Sequence, residues 1–309
     1  MAGIGFLANP HARANQRDPE RLQEFARVAG RNGIAQLTST LDDLYRAAAA
    51  FRRSAVDIVA INGGDGTLHV ALSALEKTYG SEARLPMVAP LRGGTMDTVA
   101  RSLGVRGSTD ALLARLVGKY RAGGGFRVIE RELLRIGDGV GFLFGTGAIA
   151  NYLRLYYATR RPGPVTAGLV LARGIGSALL GGRFGRSLAE RWRGQVTADG
   201  SCWGPRDYLA VGAACIDQIG LGFKPFYRAG SARGRFPALG IHSSAASFIA
   251  ELPRVWSGRP MAAGKAIDTL TSALQLRSEQ PFEYMVDGDL YRGREVAVGL
   301  GPRLRFIVA

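Results

Sequence analysis

The sequence has few cysteines and no long uncharged apolar run, and each shortage excludes a class of protein. Cys202 and Cys215 are the two cysteines, and their separation does not match a metal site, so they fit buried thiols in a reducing compartment. No stretch of about 18 uncharged apolar residues is present, which argues against a membrane-spanning helix. Residues 1–9 have an apolar run without a basic lead-in, which predicts a strand rather than a signal peptide. We therefore expect a cytoplasmic protein.

Acidic residues are also scarce relative to basic ones. The 309 residues include 40 Lys and Arg against 25 Asp and Glu, which gives a formal net charge of +15 carried almost wholly by arginine. A strongly cationic surface predicts an anionic partner, either a membrane surface or a nucleic acid. With 47% hydrophobic residues, the chain is long enough for two domains with cores of their own.

The most informative stretch runs from Val56 to His69. Its β-branched apolar residues predict a buried strand, followed by Gly63-Gly64-Asp65-Gly66 and by Thr67 as the predicted cap of an apolar helix. Glycines there would allow close backbone approach and positive φ, and a helix N-terminus attracts phosphate. Because Asp65 would repel a bare phosphate, it suggests a bound cation or an ordered water. A tight turn that an Asp merely closes is the alternative interpretation.

Further strands are predicted over residues 4–8, 34–37 and 85–89, alternating with helical segments. This alternation predicts a parallel sheet with right-handed crossovers, in which ligands gather at the carboxyl ends of the strands. Thr38-Ser39-Thr40 follows one such strand and can cap the next helix.

A second glycine loop, residues 90–101, follows the strand predicted at 85–89. It carries Gly93 and Gly94 and opens a short apolar helix, so two glycine loops on neighbouring strand ends could clamp the phosphates of a nucleotide. Asp97 is either a helix cap or holds this loop against Asp65 through a cation or water.

From about residue 129 the texture changes to short alternating stretches with glycine turns, which predict antiparallel strands. Residues 118–125 are the predicted linker. Within the second half, residues 151–194 form a basic apolar insertion with eight arginines against Glu190. Its apolar core is interpreted either as an interfacial helix on an anionic leaflet or as an ordinary helix with a solvated basic face.

Four motifs together resemble the diacylglycerol kinase catalytic-domain family, which includes bacterial lipid kinases, sphingosine kinases and ceramide kinases. They are Asn9-Pro10, the two glycine loops at 63–67 and 93–97, and Val286-Asp287-Gly288-Asp289. The chain departs from the family pattern at residues 11–15 and at Met96. It also lacks a clear Pro-x-Ala-x-x-Asp-Asp-Gly segment, so an accessory metal site of some relatives is not carried over.

The resemblance implies an α/β fold: an N-terminal wound parallel-sheet domain of the NAD kinase/diacylglycerol kinase type at residues 1–125, and a C-terminal antiparallel β-sandwich lipid-substrate domain at 126–309. It implies an ATP-dependent lipid kinase that uses Mg²⁺ and transfers the γ-phosphoryl group to a lipid hydroxyl at the cleft between the domains. The implied nucleotide contacts are Asn9, Thr38, Gly63, Gly64, Asp65, Gly66, Thr67, Gly94 and Thr95.

Several assignments stay open at this point. Thr40 competes with Thr38 for the nucleotide, and Asp65 and Asp97 are the candidate metal ligands. The resemblance implies Asp287 as the catalytic base, with Asp65 as the second candidate, whereas Asp287-Gly288 by itself is also a strong hairpin-turn signal.

The acceptor also stays open among diacylglycerol, a sphingoid base, ceramide and phosphatidylglycerol. We expect peripheral association with the anionic inner face of the cytoplasmic membrane, no specific nucleic acid partner, and leave the oligomeric state open, a homodimer included. An NAD kinase-like soluble enzyme and a basic nucleic-acid-binding protein, with its aromatics at residues 152–157, are the alternative functions.

Overall fold

A computed structural model of the chain describes residues 3–12, 15, 16, 18–30, 33–80, 84–159 and 163–308. The chain divides into two compact units, residues 1–132 with 302–309 and residues 133–301. The sequence instead predicts a division at 125/126 and assigns the last residues to the second domain. Because the end of the chain returns to pair in the first unit, local sequence patterns could not show this assignment.

The first unit is a parallel sheet with helical crossovers. In chain order its elements are β1 Ile4–Ala8, α1 Pro19–Gly30, β2 Gly33–Leu37, α2 Leu41–Arg53, β3 Ile58–Asn62, α3 Asp65–Tyr79, β4 Met87–Pro90, α4 Thr98–Ser102 and α5 Thr109–Arg121. The strand order is β4-β3-β1-β2, with every neighbouring pair parallel. Strands β1 and β3 are buried along their whole length, as expected for a parallel sheet covered on both faces.

Two helices of this unit begin at side-chain capping hydrogen bonds. Thr40 forms a reciprocal capping box with Asp43 at the start of α2, and the Ser108 side chain accepts a hydrogen bond from the amide of Ala111 at the start of α5. Gly118, predicted to begin the linker, lies inside α5, because the apolar spacing of that helix continues to Tyr120.

The second unit is built from antiparallel strands and four helices among its described residues. Its elements are β6 Gly139–Gly141, β7 Leu143–Gly147, α6 Ala148–Tyr157, α7 Pro164–Leu179, α8 Arg183–Leu188, β8 Trp192–Arg193, β9 Gln195–Ala198, β10 Ser201–Cys202, β11 Asp207–Tyr208, β12 Ala210–Ala214, β13 Phe236–Ile241, α9 Ala245–Trp256, β14 Ala266–Thr271 and β15 Ala273–Val286. Strands β5 Arg127–Ile136 and β16 Asp289–Val308 have residues in both units.

The strand order in the second unit is β14-β13-β12-β7-β15-β16, and every neighbouring pair is antiparallel. Its core is aromatic, with Phe142, Phe144, Tyr208, Phe226 and Phe236 almost fully buried. The predicted fold class, a parallel sheet followed by antiparallel strands, is confirmed. No helix in the described ranges is long and apolar enough to cross a membrane.

The end of β16 completes the first unit, and this can be tested. Phe306 pairs with Val88 in parallel register and is fully buried, so Phe306→Ala should lower the free energy of unfolding by about 3–5 kcal/mol. Arg303→Gln is the matched control from the same segment. Arg303 is partly exposed and pairs with Glu130 at 2.8 Å, so this change should cost under about 1 kcal/mol. Denaturant unfolding measures both variants. If Phe306→Ala lost no more unfolding free energy than Arg303→Gln, the Phe306 side chain would not be part of the core.

Candidate active site

The first glycine loop leads directly into α3. Gly64 is the residue that precedes the helix, and Asp65 is its first residue. Thr67, predicted as the helix cap, instead lies within the first turn, and its hydroxyl accepts a hydrogen bond from the Asn9 side-chain amide at 2.9 Å. That prediction was wrong because Asp65 adopts helical backbone itself and its side chain bonds elsewhere.

The two glycine loops contact each other through their backbones. The amide of Gly93 donates to the carbonyl of Gly63 at 3.1 Å. A Cβ at Gly64 would lie 3.2 Å from Cα of Gly94, and a Cβ at Gly94 would lie 2.7 Å from Oδ1 of Asp97. The glycines are therefore required for close approach between the loops.

The expectation that these glycines take up positive φ was wrong. It concerned the first loop, where Gly63, Gly64 and Gly66 all avoid that region and Gly64 has a φ of −89°. The left-handed conformation falls instead on Arg92 and Asp97, with φ of 56° and 47°. Asp tolerates this conformation better than most residues, whereas for arginine it is uncommon and marks a sharply turned loop.

Asp65 joins the two loops. Its Oδ2 accepts a hydrogen bond from the amide of Thr98 and its Oδ1 from the amide of Val99, both at 2.9 Å. These are the first two amides of α4, so Asp65 satisfies the start of that helix from a different part of the chain. Burial raises the pKa of the Asp65 carboxyl, while the two amide hydrogen bonds oppose the shift.

Asp97 lies at the same junction. Its Oδ1 accepts a hydrogen bond from the amide of Gly94 at 2.9 Å, and its Oδ2 lies 3.8 Å from Nε of Arg92. Burial, and next the negative charge of Asp65, raise the pKa of Asp97 to about 6. Asp97 precedes α4, as its capping interpretation required, but its side chain makes no capping hydrogen bond to that helix. No sequence pattern indicated that Arg92 would contribute to this junction.

A chain of side-chain amides supports the first loop. The backbone amide of Asn9 donates to the carbonyl of Asn62 at 3.0 Å. The side-chain amide of Asn62 donates to Oδ1 of Asn15 at 3.2 Å. Asn15 in turn donates to the carbonyl of Asn9 at 2.7 Å. Sequence reasoning singled out Asn9 and missed Asn15 and Asn62, since an asparagine at a strand end or in a loop has no distinctive pattern.

The structure gives Thr38 and Thr40 different environments. Thr40 accepts from the amide of Asp43, so its hydroxyl caps α2. Thr38 is buried at the end of β2, and its amide donates to the carbonyl of Ala8 at 2.9 Å. Of the other predicted nucleotide residues, Gly66 lies in the first turn of α3 and Thr95 lies in the second loop, partly exposed.

Asp287 belongs to the second unit, where it closes the hairpin between β15 and β16. Asp287 and Gly288 have φ of 48° and 99°, the two positive values of a type I′ turn, and Val286 pairs with Asp289 across it. The carboxylate is buried and accepts hydrogen bonds from the amides of Phe142 and Leu143, both at 2.8 Å. This is the geometry that the hairpin-turn interpretation describes.

The same unit contains a second Asp-Gly hairpin. Asp199 and Gly200, with φ of 47° and 80°, connect β9 to β10. The Asp199 carboxylate accepts hydrogen bonds from the amides of Ser272 and Ala273 at 2.9 and 3.0 Å. The Ser272 side-chain hydrogen bond is the leading cause that lowers the pKa of Asp199 to about 2. A turn aspartate bonded to two consecutive amides therefore occurs twice.

The tyrosines of residues 152–157, considered above for stacking on nucleic-acid bases, are largely engaged in contacts within the protein. Tyr156 is buried and stacks on Tyr152, whose hydroxyl donates to the carbonyl of Ala167 at 2.9 Å. Tyr157 is half exposed and donates its hydroxyl to the carbonyl of Gly288 at 2.8 Å. In the part of the chain that the structure describes, no group of three or more His, Cys, Asp or Glu side chains is placed to hold a metal.

The burial of Asp97, together with charge repulsion from Asp65, predicts a pH effect on stability. The pKa of Asp97 is higher in the folded protein than its unfolded value near 4. The protonated carboxyl therefore contributes its full stabilisation to the fold below about pH 4, and this stabilisation is lost as the pH rises through about 6. In a chelating buffer, Asp97→Asn should remove this slope and be more stable than wild type at pH 7 by about 1–3 kcal/mol. Thermal melts at pH 4 and 7 measure this, and an unchanged slope would contradict it.

Comparison with known proteins gives a family match for the first part of the chain. Residues 4–122 match the family model described as the diacylglycerol kinase catalytic domain. The whole chain aligns with 97% of a diacylglycerol kinase structure from Bacillus anthracis, at 16% identity and a TM-score of 0.67. Two further structures from that organism, provisionally assigned to the same enzyme, match over the same shares at 16% and 17% identity, with TM-scores of 0.73 and 0.70. No curated protein matches. Residues 4–122 thus match the diacylglycerol kinase catalytic-domain family, and the fold of the chain is similar to that of these diacylglycerol kinase structures.

Proposed function

We propose that the protein is an ATP-dependent lipid kinase that transfers the γ-phosphoryl group of ATP to a hydroxyl of a membrane lipid. The observation that carries the proposal is the direct contact of two glycine loops at the carboxyl ends of adjacent strands β3 and β4, beside the N-terminus of α3. Backbone amides and a helix N-terminus make this place favourable for a polyphosphate. The matched catalytic-domain family supports the same reaction class.

The site would hold ATP through backbone rather than through a basic side chain. Gly63, Gly64 and Gly66 leave room at the start of α3, with Thr67 in the first turn, and Gly94 and Thr95 belong to the opposing loop. Asn9 and Thr38 lie at the ends of the neighbouring strands β1 and β2. The charge of Asp65 is partly neutralised by the amides of α4, which weakens its repulsion of phosphate.

Asp65 and Asp97 fit a role as ligands of Mg²⁺. Both are carboxylates whose pKa is raised by burial, and the charge of Asp65 raises the pKa of Asp97 further, so a cation beside them would relieve their repulsion. Magnesium in kinases takes one or two carboxylates together with substrate phosphates and water, so two protein ligands suffice. When bound, Mg²⁺ supplies charge neutralisation for the triphosphate.

The contact between the loops can be tested with matched glycine variants. A Cβ at Gly94 would meet the backbone of Gly64, so Gly94→Ala should separate the loops and weaken ATP-analogue binding by about tenfold or more. Gly118→Ala is the control, because Gly118 lies in a helix with open space around it and alanine there should stabilise by about 0.5–1 kcal/mol.

Gly64→Ala is the milder companion, since its Cβ would be 3.2 Å from Gly94. Calorimetric titration with a non-hydrolysable analogue measures the affinities on variants first shown to be folded. Wild-type affinity in Gly94→Ala would mean that the loops form turns without a role in binding.

We propose Asp287 as the base that accepts the proton of the lipid hydroxyl. Asp287→Asn should lower kcat by about 10²–10⁴ and leave ATP-analogue affinity near wild type. It should also destabilise the fold by about 1–3 kcal/mol, because an amide group cannot accept from both Phe142 and Leu143.

Asp199→Ala separates these two effects, because Asp199 occupies the same kind of turn and its Oδ1 accepts from two consecutive amides, bonds that alanine removes. We expect both variants to lose stability and only Asp287→Asn to lose turnover. A wild-type rate for Asp287→Asn, measured well below its melting temperature, would move the base assignment to Asp65.

The acceptor is identified by incubating the protein with labelled ATP and a lipid extract, followed by thin-layer chromatography. Purified diacylglycerol, sphingoid base, ceramide and phosphatidylglycerol are then supplied singly, with NAD as the soluble comparison and the Gly94→Ala protein as the inactive control. Label in a lipid product supports the proposal. Label in NADP alone, or in no product, would overturn it.

A further inference from the structure

Helix α7, Pro164–Leu179, presents two different faces. Ala167, Val170 and Gly174 are buried at helical spacing. On the opposite side, an exposed apolar stripe follows the i+3 and i+4 positions along the helix and continues to the next residue; its large members are Val165, Leu169, Leu179 and Leu180, exposed by 77%, 63%, 61% and 88%. Ala172 and Gly176 fall on the same stripe. Apolar side chains exposed to this extent and contiguous along one helix are unusual on a soluble surface.

The inner face of α7 is fixed to its neighbours, so the stripe cannot rotate into the protein. The Tyr152 hydroxyl in α6 donates to the carbonyl of Ala167 at 2.9 Å. At the other end, Ser177 accepts from the amide of Gly185 in α8 at 2.8 Å, and a Cβ at Gly185 would collide with the α7 backbone at Ala178. The close packing of α8 against α7 holds the outward face in one orientation.

The charged residues in the chain segment that carries the stripe have one sign. No acidic residue occurs between Asp138 and Glu190, whereas Arg173, Arg183 and Arg186 lie in α7 and α8 and are exposed. The Arg173 guanidinium lies 4.4 Å from the ring centre of Phe184, so its charged group packs on the ring in a cation–π contact while the residue as a whole stays exposed. Arg160 and Arg161, also basic in sequence, lie outside the described residues. An apolar face with a basic border matches the acyl and headgroup layers of an anionic leaflet.

We propose that the outward face of α7, together with Arg173, Arg183 and Arg186, is the surface that docks on an anionic phospholipid bilayer. A second copy of the chain fits this surface less well, because a two-fold interface would bring these arginines towards their own symmetry mates without an acidic counterpart in residues 139–189. The proposal specifies the membrane association of the proposed kinase. Because lipid binding needs no nucleotide, its failure and the failure of the kinase proposal are separate results.

Flotation with vesicles of phosphatidylglycerol and phosphatidylcholine, compared with phosphatidylcholine alone, tests the surface. The full chain should bind the anionic vesicles more tightly, and added salt should weaken that binding. Leu169→Asp with Leu180→Asp should reduce partitioning about a hundredfold or more, through lost apolar burial and added repulsion. Leu41→Asp is the control, since Leu41 is an equally exposed leucine at the start of α2.

Arg183→Gln with Arg186→Gln should weaken binding about fivefold for each arginine removed. Arg53→Gln with Arg115→Gln, two exposed arginines of the first unit, leaves the net charge equally reduced and serves as the control. Light scattering on the same proteins reports the oligomeric state. Unchanged vesicle binding in the α7 and α8 variants would overturn the proposal, as would a wild-type dimer that the leucine variants dissociate.

Discussion

The contact between the two glycine loops depends on the hydrogen bonds that the Asp65 carboxylate accepts from the first two amides of α4. Asp65 is fixed at the start of α3, 33 residues before Thr98, and through these bonds it holds the second glycine loop against the first. Glycine at positions 64 and 94 removes the side chains that would keep the backbones apart. Without the carboxylate, the α4 amides would lose their partner, and without the glycines the carboxylate could not reach them.

This arrangement concentrates negative charge where a polyphosphate is proposed to bind. Asp65 and Asp97 face one junction, and the pKa of Asp97 is raised first by burial and next by the charge of Asp65, so keeping both carboxylates ionised costs free energy. Arg92, at 3.8 Å from Asp97, is too distant to cancel this cost fully, and its side chain also donates to the carbonyl of Gly107. Residues held against local preference are characteristic of functional sites, because a fold gains nothing from repulsion that no ligand relieves.

Sequence predicted what adjacent residues determine and missed what distant residues determine. The strands predicted at 4–8 and 34–37, the capping of α2 from within Thr38-Ser39-Thr40 and the order of the glycine loops follow from local patterns and agree with the structure. Thr67 as a cap failed because Asp65 had a distant partner in α4. Positive φ at the loop glycines failed because their role is close approach between two loops. The pairing of Phe306 with Val88 joins residues 218 positions apart, and no local pattern announces it.

The two Asp-Gly hairpins show why a motif needs its surroundings before it acquires a function. Asp199 and Asp287 have nearly the same φ, follow a strand, and bond two consecutive amides of another segment. Their turn chemistry is equivalent, so the Asp-Gly dipeptide alone explains a hairpin in both places. The surroundings of the two turns differ. The hydrogen bond from the Ser272 hydroxyl to Asp199 is exposed, whereas Asp287 is buried. The carbonyl of Gly288 also accepts a hydrogen bond from Tyr157 of α6, the helix that is bonded to α7. The turn at Asp287 is thereby tied through α6 to the helix proposed to meet the lipid surface, and the turn at Asp199 is not bonded to that helix by any contact described in the structure.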